Sequence, residues 1–199
     1  MSLRIAAGRY KGQKITTVSG PGYRPAMDKV RQALFSMLES RGVSWEDMRV
    51  LDLFAGSGSL GLEAISRGAQ EAVFVEQSAK AVRALQETVT RLQVPKSQCR
   101  LVARKVAGFL RQTPKQRFDL VFVDPPYGQN LLHSTLHALQ SGNWLTQPGF
   151  VAAELEAEMD LANILGFEQE VNRTYGQTRI VIWRMKSQRP RSTPELLTP

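Results

Sequence analysis

The residues Asp124-Pro125-Pro126-Tyr127 close the apolar run Phe118-Asp119-Leu120-Val121-Phe122-Val123 and concentrate chemistry in one short turn. Two prolines leave the turn few conformations and no N–H at positions 125 and 126, so the carbonyls there can face a ligand without a competing donor. A carboxylate, a carbonyl and an aromatic ring on one stiff turn make a socket for a planar molecule bearing an NH2 group. An exocyclic amine on such a ring is a poor nucleophile because its lone pair is delocalised. Acceptors for both of its N–H groups let the nitrogen pyramidalise and carry the positive charge that develops during attack. Asp124, Pro125 and Tyr127 are therefore the candidate catalytic residues. This chemistry requires no metal and no histidine or cysteine nucleophile. His133 and His137, an i, i+4 pair on a predicted helix, read as surface or packing residues rather than ligands.

A second chemical stretch lies upstream, where Arg49-Val50-Leu51-Asp52-Leu53-Phe54 runs into Ala55-Gly56-Ser57-Gly58-Ser59-Leu60-Gly61. It reads as a strand, a glycine turn and a helix, a geometry that lets a ligand lie against bare backbone at a helix N-terminus. Gly56, Gly58 and Gly61 spell the dinucleotide fingerprint, with Glu76 ending the next apolar run twenty residues after Gly56. The same residues resemble the signature of the Rossmann-like S-adenosylmethionine (SAM) methyltransferases, an acidic residue ending the first strand followed by x-x-x-G-x-G, matched by Asp52, Gly56 and Gly58. That resemblance implies SAM as cofactor, with Asp52 toward its methionine part, Glu76 on its ribose hydroxyls, and Phe54 and Val106 among the contacts. A turn that binds nothing is the plainer alternative. The Asp-Pro-Pro-Tyr turn favours SAM over NAD, because it matches the [D/N/S]-P-P-[Y/F/W] signature of amino methyltransferases and nothing resembles a hydride-transfer acid/base pair.

The elements that must position these groups alternate along the chain. Apolar runs predict strands at 49–53, 71–76, 99–103 and 118–123, with helices near 59–68, 78–92, 105–112 and 130–141. This alternation argues an α/β fold with a parallel sheet covered on both faces. Ligands of such sheets bind outside the carboxyl ends of the strands, which places Asp124 and Tyr127 beside the Gly56 turn. A fifth strand is expected at 150–155 after Pro148-Gly149, and 167–171 with 179–183 reads as a closing antiparallel hairpin around Tyr175-Gly176-Gln177. Five parallel strands closed by a hairpin is the seven-stranded layout of SAM methyltransferases, an ending that a plain dinucleotide-binding fold does not predict. Ahead of the sheet, Leu3 to Val18 reads as a small hairpin with a basic tip. Ser19-Gly20-Pro21-Gly22 forces a turn, and a helix opens near Arg24-Pro25 with Val30, Ala33, Leu34, Met37 and Leu38 on one face.

The net charge of +8 over 199 residues is unevenly placed. Residues 1–31 carry +6, residues 184–199 carry +3, and the body between them carries −1. Basicity concentrated at the ends of a near-neutral body points to a polyanionic partner. Arg9, Lys11, Lys14, Arg24 and Arg31 are candidate phosphate contacts, and Tyr10 could stack on a base. The alternative is a solvated basic surface. The single cysteine, Cys99, excludes an internal disulfide framework and suits a reducing cytosol. No signal-peptide pattern and no run of eighteen apolar residues occurs, so a soluble cytoplasmic protein with no membrane attachment is expected.

Taken together, the chain resembles the RsmD-type bacterial 16S ribosomal RNA guanine-N2 methyltransferases from Arg4 to about Trp183. The blocks that carry the resemblance are R-I-x-A-G-R-Y-K-G, Arg24-Pro25 with Asp28-x-Val30-Arg31-x-Ala33-Leu34-Phe35, L-D-L-F-A-G-S-G-S-L-G-L-E-A and F-D-L-V-F-V-D-P-P-Y. The resemblance implies methyl transfer to the N2 amine of a guanine in 16S ribosomal RNA, within a partly assembled small subunit, by a monomer. Three positions depart from the family pattern. Ala26 replaces threonine, removing a helix N-cap worth about 1 kcal/mol. Thr88 stands where asparagine is common. Lys105-Val106 replaces the polar or acidic residue expected at the adenine amine, leaving the Val106 backbone to serve. The expected organisation is an RNA-binding hairpin and helix extension over 1–45, the methyltransferase domain over 46–185, and a disordered basic tail over 186–199. Competing readings are a DNA adenine or cytosine methyltransferase, a protein-glutamine methyltransferase, and a SAM-binding RNA chaperone without turnover.

Overall fold

The computed structural model describes residues 3–18, 25–126, 128–161 and 164–186. Arg24, Tyr127, the turn at 19–22 and the tail beyond Lys186 lie outside the described residues, as does the side chain of Ala26. The elements run in the order α1 (Pro25–Glu39), β1 (Arg49–Leu53), α2 (Ser59–Arg67), β2 (Glu71–Glu76), α3 (Ala79–Arg91), β3 (Cys99–Ala103), α4 (Val106–Leu110), β4 (Phe118–Val123), α5 (Leu131–Ser141), β5 (Leu145–Glu156), β6 (Phe167–Tyr175) and β7 (Thr178–Met185). The first four strands match the predicted spans; β1, β2 and β4 are buried on both faces and read as unbroken apolar runs. β3 is the exception, an edge strand with only partial burial.

The sheet has strand order β3-β2-β1-β4-β5-β7-β6. β1 to β5 pair in parallel, and β7 runs antiparallel to both β5 and β6. One face carries α1, α2, α3 and the N-terminal segment, through a core that includes Ile5, Leu34, Leu62, Leu85 and Phe122. The other carries α4 and α5, through Phe109, Leu136, Trp144 and Val151. The predicted face of α1 joins the first of these cores through Val30, Leu34 and Leu38, and Phe35, outside that face, lies 5.6 Å from Phe122 between ring centroids.

Three stretches differ from the sequence reading. β5 begins at Leu145, ahead of Pro148-Gly149, because a register shift between Phe118 and Leu120 of β4 lets that pair sit inside the strand. β6 and β7 extend to Tyr175 and Thr178. Only Phe167 and Val171 of β6 are buried, so the main-chain ladder continues where the apolar alternation stops. The N-terminal hairpin forms but stays short: Arg4 bridges Lys14, and the N–H groups of Ile5, Gly12 and Ile15 donate across it to the carbonyls of Gln13, Ile5 and Leu3. Others of its N–H groups dock it on the helices. The N–H groups of Ala6 and Ala7 donate to the two Glu63 carboxylate oxygens at 2.7 and 3.0 Å. Arg9 N–H donates to the Ser66 carbonyl, Tyr10 N–H to Ser66 Oγ, and Thr16 N–H to Thr88 Oγ1. Thr88 also donates to the Ala84 carbonyl, so it ties α3 to the segment above it.

Glu63 is buried, and its other partner is Arg67 at 2.9 Å. Removing its carboxylate would strand two N–H groups and leave the half-buried Arg67 with Glu39 alone. Glu63→Ala should therefore destabilise the fold by about 3–5 kcal/mol, and Glu63→Gln, which keeps one acceptor, by less. Urea unfolding of the two variants measures the difference, and equal losses would mean that the two N–H bonds contribute nothing.

Candidate active site

The parallel strands bring four carboxylates to one edge of the sheet. Asp52 pairs in register with Phe74 and Phe122, and Phe122 with Ala152. Strand side chains alternate, so Asp52 points to the face of Phe74 and Phe122, and Glu76, Asp124 and Glu154 follow on that face at the carboxyl ends of β2, β4 and β5. Each is met by a physical constraint of its own.

The first helix after the turn, α2, has Gly58 at its N-cap in left-handed backbone, φ 74°, and no side chain of its own caps it. Asp52 supplies the missing acceptor from the neighbouring strand: Gly61 N–H donates to its Oδ2 at 2.9 Å. Gly61 has no alternative residue at this distance, since a Cβ would stand 2.3 Å from the Phe74 ring and 3.1 Å from Asp52 Oδ2. Glu76 fixes the other side of the turn, its Oε2 accepting from Gly56 N–H at 2.9 Å and its Oε1 from Ser78 N–H at 2.7 Å. Phe54, between strand and turn, holds φ 61°, an unfavourable backbone state for a residue with a bulky side chain.

Burial and mutual repulsion set the acidities. Asp52, 1% exposed, is pushed up to about 7 by burial, with Glu76 adding repulsion and the Gly61 N–H opposing. Asp124 is raised well above the usual carboxylate range by burial, then by Glu154 and Asp52. Glu154 is raised by burial, and Arg31 opposes that rise.

Beside this edge opens a cavity of about 760 Å³. Of the sequence-predicted residues its wall holds Phe54, Glu76, Val106, Asp124 and Pro125. Asp52, Gly56 and Gly58 are not part of the wall; they shape the turn that carries it. The opposite wall was not anticipated. It comes from α5, where Leu131, Ser134, Thr135 and Ala138 recur at i, i+3, i+4 and i+7. That spacing was legible in the sequence, but a face of small polar and apolar residues reads equally as packing. Gln77, Leu110 and the basic Lys105 and Arg111 also line it.

The basic end is placed elsewhere. Arg9 and Lys11 are exposed on a turn hydrogen-bonded to Ser66, at the far end of α2 from the glycine turn, and Lys14 is exposed nearby. The nine residues of α2 put about 13 Å between that tip and the strand ends. Tyr10 is half-buried, with the Arg9 guanidinium 5.4 Å from its ring centroid. Arg31 is a correction: at 5% exposure it cannot track a phosphate backbone, and it donates to the Arg4 carbonyl and faces Glu154 instead. His133 and His137 are exposed on α5. Burial pushes the Cys99 thiol up to about 12, in keeping with a packing role.

The cavity suits a nucleoside cofactor in volume and in chemistry. Its size falls within the range of about 300–1,000 Å³ typical of small-molecule sites. Both Glu76 oxygens retain a lone pair beyond the backbone N–H each accepts, enough for two hydroxyls. Val106 and Leu110 offer an apolar surface to a flat ring. The fold and this cavity define a Rossmann-like methyltransferase of the SAM-dependent class. A family model described as conserved hypothetical protein 95 matches residues 3–184. The small-subunit ribosomal RNA methyltransferase D of Escherichia coli K12 is 36% identical over 164 residues, covering 81% of this chain and 79% of that protein. YlbH of Bacillus subtilis strain 168, described as a candidate rRNA methyltransferase, is 32% identical over 187 residues, covering 92% of this chain and 100% of that protein. The solved structure of Escherichia coli yhhF, described as a candidate methyltransferase, aligns with a TM-score of 0.81 at 31% identity, covering 94% of this chain and 100% of that one. The chain belongs to this family, the RsmD-type methyltransferases, and its cofactor is S-adenosylmethionine. No helix among the described residues is long and apolar enough to cross a membrane.

The acidity of Asp52 carries a sign that can be checked. Its carboxyl binds a proton more tightly folded than unfolded, so between the ordinary value of 3.8 and about 7 the native state holds the extra proton. The stability it contributes is fully present below that window and is lost as pH rises through about 7. Asp52→Asn keeps an acceptor for Gly61 N–H and removes the titration. In urea unfolding of the ligand-free protein, the variant should lose less stability than the parent between pH 4 and 7. Parallel curves for the two would assign the decline to other groups.

Proposed function

We propose that this chain transfers a methyl group from S-adenosylmethionine to the exocyclic N2 amine of a guanine in the 16S RNA of the small ribosomal subunit. The observation that carries the reading is Asp124, a carboxylate at the lip of the cavity on a turn stiffened by Pro125 and Pro126, in a chain whose relatives include a named small-subunit ribosomal RNA methyltransferase. S-adenosylmethionine, when bound, supplies a methyl group activated by its sulfonium and leaves as a thioether. The remaining work falls to the protein. Glu76 accepts from the two ribose hydroxyls, and Val106 with Leu110 lies against the adenine. Asp52 and Glu76 hold the glycine turn so that its backbone meets the amino-acid part of the cofactor.

On the substrate side, Asp124 and the Pro125 carbonyl accept from the two N–H groups of the target amine, and Tyr127 stacks on its base. A base paired within folded RNA presents no free amine, so the nucleotide is unstacked or already exposed when it binds. The carboxylate form of Asp124 accepts better than the acid form, so transfer should rise with pH as Asp124 gives up its proton. Arg9, Lys11 and Lys14 contact RNA phosphates some nucleotides away from the target, because their turn lies at the other end of α2. The substrate in this reading is a partly assembled particle, and the enzyme acts as a monomer.

The two sides of the site should separate experimentally. Glu76→Ala should weaken SAM binding in calorimetry by about 1–3 kcal/mol. Asp124→Ala should leave that affinity nearly intact and abolish transfer from labelled SAM to small-subunit RNA. Transfer at the parental rate by Asp124→Ala, or a product methylated on a ring carbon or a ribose oxygen, would sink the reading. Mapping the methylated nucleotide in small-subunit RNA from cells with and without the gene then identifies the target.

For the basic turn, replacing Arg9, Lys11 and Lys14 together should lower RNA affinity. It should also flatten the slope of log K against log salt by about 0.7–0.9 for each phosphate that is no longer neutralised. A folded triple variant with the parental slope would make the turn a solvated surface.

A further inference from the structure

An acceptor for an amine does not by itself choose a base, because adenine, cytosine and guanine all carry one. The strand next to Asp124 adds a second carboxylate. β4 and β5 run parallel with Phe122 opposite Ala152 and Val123 opposite Ala153, so Asp124 and Glu154 follow as neighbours, on the same face, at the carboxyl ends of adjacent strands. Gly128 N–H donates to Glu156 Oε1 at 2.6 Å, one side-chain repeat beyond Glu154 on β5. From the other side, α1 brings the buried Arg31 close enough to act on Glu154. The Asp124 carboxylate feels Glu154 as a like charge, in agreement with the proximity that the register sets.

Two neighbouring acceptors fit an edge that presents two neighbouring donors. Guanine has such an edge, with N1–H beside the N2 amine. In adenine and in cytosine the ring nitrogen beside the amine is unprotonated, and its lone pair would face a carboxylate. A buried carboxylate opposite an acceptor loses a hydrogen bond and gains repulsion, which is the stronger form of discrimination available to a site.

We propose that Glu154 accepts the N1–H of the target guanine while Asp124 accepts from its N2 amine, so that the paired strand ends select guanine over adenine and cytosine. This rests on the amine-methylating reading above and extends it to the choice of base. Arg31 then acts as a positioning residue: its buried charge favours the ionised form of Glu154, the form that accepts from N1–H.

The test uses the full-length enzyme and small-subunit RNA ligated to carry either guanine or 2-aminopurine at the mapped nucleotide. 2-Aminopurine keeps the amine and turns N1 into an acceptor. The parent should prefer guanine by about tenfold or more in kcat/KM. Glu154→Gln can donate from its amide to that N1, so it should lower transfer to guanine, spare transfer to 2-aminopurine, and narrow the preference about tenfold, with SAM affinity unchanged. Glu154→Asp, which keeps the charge but withdraws it, should lower transfer to guanine more than to 2-aminopurine and serves if the glutamine variant does not fold. Equal rates of the parent on the two RNAs, or equal proportional losses in the variants, would overturn the role of Glu154 and leave the amine-methylating reading standing. A parental product methylated on the amine of adenine would overturn the guanine reading and the Glu154 assignment together.

Discussion

Crowding of like charge at one edge of a parallel sheet is the condition that the rest of this structure answers to. Asp52, Glu76, Asp124 and Glu154 end adjacent strands on the same face, and three of them are pushed up in acidity by burial. Such an arrangement is unfavourable unless backbone donors or cations meet it. The glycine turn supplies donors through Gly56 and Gly61, the start of α3 supplies Ser78, and α1 supplies the Arg31 charge.

Close packing is the second half of that arrangement. The helix after the turn can offer its N–H groups to Asp52 only by lying against β2, where Gly58 and Gly61 leave no space for a side chain between the helix and Phe74 or Leu85. Gly58 and Gly61 therefore serve the geometry of the turn, and the cavity beside it owes its shape to the surrounding walls. Those walls come from α4 and α5 on the opposite face of the sheet, and from the rigid turn at Asp124.

In the N-terminal segment, local pairing and tertiary contact divide one backbone between them. Ile5, Gly12 and Ile15 donate across the hairpin, while Ala6, Ala7, Tyr10 and Thr16 donate to Glu63, Ser66 and Thr88 on α2 and α3. Its apolar residues Ile5 and Ile15 join the core of the sheet. The basic side chains left outside are consequently carried on a docked turn, at the far end of α2 from the glycine turn.

Much of this was determined by the sequence alone. Alternating apolar runs specified the strands of a parallel sheet, the glycine spacing specified the turn, and Asp124-Pro125-Pro126 after the fourth run specified a carboxylate on a stiff turn at the same edge. These signals are local, since each depends on burial or backbone freedom within a few residues. The tertiary structure alone decided which residues share a wall and which charges meet. Arg31 looks like any other basic residue of the N-terminal segment until α1 packs and buries it within reach of the Glu154 charge. Glu154 looks like one acid of an acidic stretch until the register of β5 sets it beside Asp124. Thr135 and Ala138 read as packing until α5 turns them toward the cavity. Register and helix rotation are properties of pairs of elements, and no single segment encodes them.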